Sequence, residues 1–454
     1  MKTIFIAAFL LLSASLSVAQ VSDAPKRDGL NLTIYNSNLG VIRDIRVFDL
    51  KKGTSEIKLQ DISAQLDPTT VKITSPKHPG QINLIEQNYQ YDLVNQATLL
   101  QKYIDKKVVV TDDKRNVTEG ILLSAEGNFL TLQTSTGIVM LTGNSSQISV
   151  PTLPEGLLTR PTLVWQLSSN GAYTNEPLEV TYQSTGLNWH AEYIVALADD
   201  DKSLDLSGWV SLENTSGVTY PDAHLKVVAG SIHRAQTPRP YETRAYAMKA
   251  AGDAVMSNQF EERGMFEYHL YDLGRTTTLH NNEVKQISLL NSTGVHSEKA
   301  YTYNGGRNIE VSIKFKNTKE NNMGMPLPEG VIRVMKRDKD GSLEFVGEDR
   351  IEHTPRDEEI TLKVGDAFDI LGERTVTDSR ALGSHSSMES VEVNLKNRKD
   401  EDVMIDVTEN VGYSWEITKS SIPFDKKNAS TVIFHVPVKA RSQTKLTYTV
   451  IHTW

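Results

Sequence analysis

Gly186 to Gly230 reads GLNWHAEYIVALADDDKSLDLSGWVSLENTSGVTYPDAHLKVVAG, and this stretch decides the fold class. Trp189, Ala191, Tyr193 and Val195 alternate with His190, Glu192 and Ile194. Leu204, Leu206, Gly208, Val210 and Leu212 do the same in a second run. A period of two is the signature of a half-buried strand. Asp199-Asp200-Asp201 and Asn214-Thr215-Ser216-Gly217 supply turns, and Leu225, Val227 and Ala229 start a third run. Three strands in a core meander are expected, carrying two tryptophans and a tyrosine.

The same period extends in both directions. Upstream, Leu30, Leu32 and Ile34 share a face. Val41, Ile45 and Val47 with Leu50 suggest a bulged strand, and Leu163, Trp165 and Leu167 mark a strand before Leu178, Val180 and Tyr182. These last two runs are expected to complete one sandwich sheet with the opening stretch. Tyr91 to Lys107 is the one helical pattern, with Leu93, Ala97, Leu100 and Ile104 at spacings of three and four. Five short runs between Lys107 and Val150 suggest a small SH3- or Sm-like barrel. Arg234 to Arg263 has no period and reads as a mobile loop, after which Phe266 to Tyr271 resumes the strands. From Arg307 onward apolar runs recur every 8 to 12 residues, with Asp338-Lys339-Asp340-Gly341 as a hairpin turn.

The expected architecture is therefore mainly β. It consists of antiparallel β-sandwiches of immunoglobulin-like size, a small SH3/Sm-like barrel, and one short helix near the N-terminal side. The expected division is 1–19 signal peptide, 20–106 β region with helix, 107–150 barrel, 151–306 sandwich with mobile loop 234–263, and 307–454 second sandwich.

Lys2, the apolar run Ile4 to Leu12 and Ser17-Val18-Ala19 have the order of a secretory signal peptide. The chain contains no cysteine, so a lipoprotein anchor at the cleavage point is ruled out, and disulfide-free export points to a bacterial envelope. A periplasmic or extracellular location is expected. Lys plus Arg number 48 against 57 Asp plus Glu, a balance that disfavours nucleic acid as partner. No later segment is apolar enough for a transmembrane helix. The alternating C-terminus, Leu446 to Trp454, leaves a closing strand of an outer-membrane barrel as a minor alternative.

Several blocks resemble the DUF4139 family of bacterial domains. They are Gly186-Leu-Asn-Trp-His-Ala-Glu-Tyr193, Val210 to Gly217, Leu225 to Gly230, Glu267 to Tyr271, Pro326-Leu-Pro-Glu-Gly-Val-Ile-Arg333 and Val364 to Ile370. The resemblance covers Arg160 to Trp454. Some relatives in that family are called mucoidy-inhibitor proteins, which implies a link to exopolysaccharide. The resemblance carries over no catalytic residues.

No metal-ligand spacing, nucleophile elbow, phosphate loop or dinucleotide fingerprint is present, so no catalytic residue, metal or cofactor is assigned. Gly383-Ser384-His385 sets a hydroxyl beside an imidazole, but adjacent loop residues seldom hold triad geometry. The candidate ligand-binding residues are His190 and Glu192, on the polar side of their strand, and Tyr268, His269 and Tyr271, which could stack on sugar rings. The expected function is binding or scaffolding without catalysis, with an envelope polysaccharide or another envelope protein as partner. A glycan-acting hydrolase using carboxylates from different strands is the alternative.

Overall fold

The computed structural model describes residues 25–92, 94–142, 147–154, 157–230, 232 and 259–454. The signal-peptide reading, Leu93 of the expected helix and most of the expected mobile loop lie outside the described residues. The chain is mainly β, with antiparallel sheets and one α-helix among the described residues. No described helix is long and apolar enough to cross a membrane. It forms two compact units, one built from 25–28, 45–62 and 73–180 among the described residues, the other from 29–44, 63–72 and 181–454.

In the first unit, Thr162–Ser169 is the middle strand of a three-stranded antiparallel sheet, between Gly53–Leu59 and Ile82–Gln90. It is therefore not in one sheet with the Gly186 stretch, as the alternation suggested. Leu163, Trp165 and Leu167 are buried as expected, and the Trp165 indole donates to Gln87 Oε1 at 3.0 Å. On Leu39–Leu50, Leu50 is buried as expected, but Val41, Ile45 and Val47 are half-buried and the buried face carries Ile42 and Phe48 instead. Arg46 shares the buried face and donates to the carbonyls of Gln60 and Asp61, so its charge is hydrogen-bonded. Apolar counting cannot foresee that.

The helix is shorter than its sequence pattern, Gln96–Lys102. Asn95 caps it by exchanging hydrogen bonds with Thr98, and Ile104 already bridges to Leu122 as extended chain. Five strands follow: Lys107–Thr111, Val117–Glu126, Phe129–Thr134, Gly137–Thr142 and Gln147–Ser149. The last pairs with the first, and the remainder form a meander over Leu100, Tyr103, Val110, Leu122 and Leu132. The strand count matches the expectation, but among the described residues the sheet does not close into a barrel. Gly137–Thr142 and Gln147–Ser149 are its two edges.

In the second unit, Leu187–Leu197 and Ser203–Asn214 pair antiparallel along their whole length around the Asp199–Asp201 turn. The alternating apolar residues are buried as the sequence indicated. The third strand, Tyr220–Ala229, leaves the expected meander. It lies between Arg27–Tyr35, parallel, and Tyr268–Leu279, antiparallel, in another sheet. Asn214 makes the corner. It is fully buried, and its amide donates to the carbonyls of Val218, Leu279 and His280 while its oxygen accepts from Ser216. Gly217 completes the turn at φ +90°, where a Cβ would sit 2.7 Å from Ala64. The two sheets then face each other: Trp189 donates from one to the Val228 carbonyl of the other at 3.1 Å and packs on Tyr271.

The first of these sheets continues. Glu283–Tyr303 is one 21-residue strand that pairs with Ser203–Asn214 through its first half and with Asn308–Lys316 through its second. Glu359–Gly383, Ser386–Asn397, Gln443–Thr453 and Trp415–Ser420 extend the sheet. Val403–Asn410 and Thr431–Val438 cover it, enclosing Val393, Leu395, Ile405, Phe434 and Tyr448. On the other flank Gly330–Arg337 runs parallel to Leu187–Leu197 and turns at Asp338–Gly341 into Leu343–Ile351. Phe266 is a turn residue at φ +57° and not part of the strand expected there, which begins at Tyr268.

Candidate functional site

His190 and Glu192 project from the outer face of Leu187–Leu197, opposite the buried Trp189 and Tyr193. Alternation alone puts them there. Their neighbours come from the flanking strands. Glu192 accepts from Gln286 at 2.9 Å and has Arg333 at 3.6 Å and His190 at 3.8 Å. Its side chain is mostly buried while that of His190 is half exposed.

Beside His190 opens a cleft of about 200 Å³. Asn36, Asn188 and His190 line one side, and Glu329, Arg350 and His353 the other. The loop that brings Glu329 there is pinned at successive carbonyls. Asn317 donates to Met325, Tyr271 to Pro326 at 2.9 Å, and Tyr193 to Pro328 at 2.8 Å. Leu327 exchanges two backbone hydrogen bonds with Thr354. Burial, then the neighbouring Tyr271, raises the Tyr193 phenol well above its usual range, and burial, then Glu262, raises that of Tyr271. Both therefore remain donors. Gly330 follows because a Cβ there would lie 2.3 Å from the Ala191 carbonyl, closer than two parallel strands allow.

The imidazoles are set by their contacts. The Glu329 backbone N–H donates to His353 Nδ1 at 3.1 Å, which assigns the proton of neutral His353 to Nε2. Asn188 Oδ1 accepts from the Asn38 N–H at 3.3 Å, which orients its amide. Arg350 lies 3.7 Å from Glu329, an ion pair loose enough for a ligand to replace. The site thus offers planar donors and acceptors on a frame of strands.

Of the residues expected from sequence, only His190 lines this cleft, with Glu192 next to it. Tyr271 is buried against Trp189 and holds the loop, so it offers no face to a sugar. Tyr268 packs beside Gly230 and Phe266 on the other sheet. His269 is tied to Glu262 at 2.8 Å, and Glu262 in turn to Arg356 at 2.6 Å. Asn36, Asn188, Glu329, Arg350 and His353 were missed. Pro326-Leu-Pro-Glu-Gly was the available signal, a turn-forming run just before a strand.

Two other arrangements resemble catalytic groups and differ in connectivity. In the first unit Ser75 donates to Glu176, and His78 Nδ1 lies 2.9 Å from the same carboxylate. The hydroxyl therefore meets the carboxylate and not the imidazole that would activate it. Ser384 and His385 contact each other on an exposed turn. Among the described residues no group of three or more His, Asp or Glu side chains could hold a metal ion.

No family model matches the chain. A search of the curated proteins finds no match either.

Proposed function

We propose that this chain is an exported binding protein of the bacterial envelope, whose cleft beside His190 takes a polar, hydroxyl-bearing group of an envelope polysaccharide. The observation that carries the reading is the convergence of two imidazoles, two carboxamides, a carboxylate and a guanidinium on one small cleft. Such groups exchange paired hydrogen bonds with vicinal hydroxyls or a sugar carboxylate. At about 200 Å³ the cleft is smaller than the roughly 300–1,000 Å³ of pockets that enclose a drug-sized ligand. It suits one ring or one acidic group of a longer chain.

The signal-type N-terminus supports export, and the absence of cysteine agrees with a bacterial envelope. The DUF4139 reading also belongs to the proposal. Two of the blocks that carry it, Gly186–Tyr193 and Pro326–Arg333, are the two sides of this cleft and pair at Ala191 and Gly330.

Residues 20–454 incubated with envelope glycans test the proposal, with retention on the glycan and soluble products read together. Retention that falls at least tenfold in Arg350→Ala and His190→Ala supports binding at the cleft. Release of new oligosaccharides would instead establish the hydrolase alternative. Absence of both retention and products would remove the polysaccharide as ligand.

A further inference from the structure

The edge strand Gly137–Thr142 differs from the other sheet edges among the described residues. Most of those carry a device that blocks pairing with another chain. Leu343–Ile351 bears Glu344, Glu348 and Asp349. Glu261–Met265 begins with two glutamates, and Trp415–Ser420 is charged and bulged. Gln147–Ser149, at the opposite edge of the same sheet, is only three residues long.

Gly137-Ile-Val-Met-Leu-Thr142 has no charge, no proline and no bulge along its pairing with Phe129–Thr134. It is a six-residue apolar segment of high β propensity on an open edge. Its hairpin has a two-residue loop, closed by the pair Thr134 and Gly137. The closing pair of such a loop exchanges its backbone hydrogen bonds. Gly137, Val139 and Leu141 therefore turn their backbone groups inward, and Ile138 and Met140 turn theirs outward. Ile138 and Met140 are 70% and 68% exposed, and Gln133 stands between Ile138 and Ile121 on the same face.

We infer that this edge pairs with the same edge of a second copy of the chain, antiparallel about a two-fold axis at Val139. The occupant follows from self-complementarity. With no charge on the strand, the two-fold sets no like charges opposite each other. It places Ile138 against Met140 of the second copy twice, so both apolar side chains are covered and both outward backbone positions find partners. One five-stranded sheet becomes half of a ten-stranded one.

Sedimentation velocity on residues 20–454 across the micromolar range tests this. A dimer is expected, and Met140→Lys, which sets two ammonium groups near the axis, is expected to return a monomer with unchanged circular dichroism. The chain has no cysteine, so single cysteines report without background. Val139→Cys lies on the axis, where paired Cα atoms about 4.5 Å apart meet the requirement of a disulfide. Mild oxidation of Val139→Cys, or of Met140→Cys for an axis one residue on, is expected to give a covalent dimer. A wild-type chain that stays monomeric at every concentration overturns the inference and leaves the edge to a strand of another protein. A dimer that survives Met140→Lys and forms no disulfide at either position also overturns it.

Discussion

Asn214, Asn317 and Asn397 are fully buried, and each stands at or just past the end of a strand. Each uses its amide to close a corner. Asn214 donates to three carbonyls, Asn317 to those of Met325 and Pro355, and Asn397 to those of Glu401, Val438 and Lys439. Two carbonyl-rich segments are thereby satisfied at one point, which an aliphatic side chain cannot do. Replacing any of the three by alanine leaves buried carbonyls without donors and is expected to cost about 1–3 kcal/mol per lost partner group. A lower urea midpoint with an unchanged slope would verify it. Tyr193→Phe makes a narrower test. The ring keeps its packing, but the Pro328 carbonyl loses its donor. Stability is expected to fall by about 1–3 kcal/mol. Glycan retention should fall as well, because the same loop presents Glu329. Asn317 and Asn397 did not stand out in the sequence, and Asn214 read there only as the first residue of a turn. The burial of each depends on which distant carbonyls reach it.

The strands themselves were legible, because alternation is a local property. Leu187–Leu197 and Ser203–Asn214 have the faces that their sequence indicates. Their partners were less legible. Tyr220–Ala229 and Thr162–Ser169 are strands as expected, yet each pairs with strands far away in sequence. The cleft was hidden for the same reason, since His190 meets His353 and Arg350 only through a parallel crossover. Long-range pairing also sets a pH response in Thr431–Val438. His435 on that strand lies 2.6 Å from Asp406 on one neighbouring strand and 3.2 Å from Asp425 on the other. The hydrogen bond that the imidazole donates to Asp406 leads the effects that raise it above its usual value, against a partial loss of hydration. A raised folded-state pKa stabilises fully below the unfolded value, about 6.5, and the benefit is lost as pH climbs through the folded value. The urea midpoint is therefore expected to decline from mildly acid to mildly alkaline pH. His435→Gln should remove that share of the slope. The effect is small, because the side chain is half exposed and solvent screens the pair. An identical pH slope in wild type and His435→Gln would contradict the assignment.

At the scale of the whole molecule, sequence spacing suggested a sandwich beginning at residue 307. The core at that end of the chain draws on residues before it. Tyr301 and Tyr303 belong to the same buried cluster as Ile405, Phe434 and Tyr448. Both lie on Glu283–Tyr303, which also supplies the antiparallel partner of Asn308–Lys316 and the parallel partner of Val403–Asn410. A chain cut at 307 loses two core aromatics and leaves two strands unpaired along one side. Deleting one buried aromatic side chain typically costs about 3–5 kcal/mol, much of the roughly 5–15 kcal/mol that holds a domain together. Residues 307–454 alone are therefore expected to be unfolded or aggregated, with poor amide dispersion in NMR spectra. Residues 296–454 keep the second half of the long strand and are expected to unfold cooperatively in urea, with Trp415 as the fluorescent reporter. If both fragments folded with the same midpoint, the tyrosines would be covering a core that closes without them. The 21-residue strand would then join two independent sandwiches, and would not be a shared member of both.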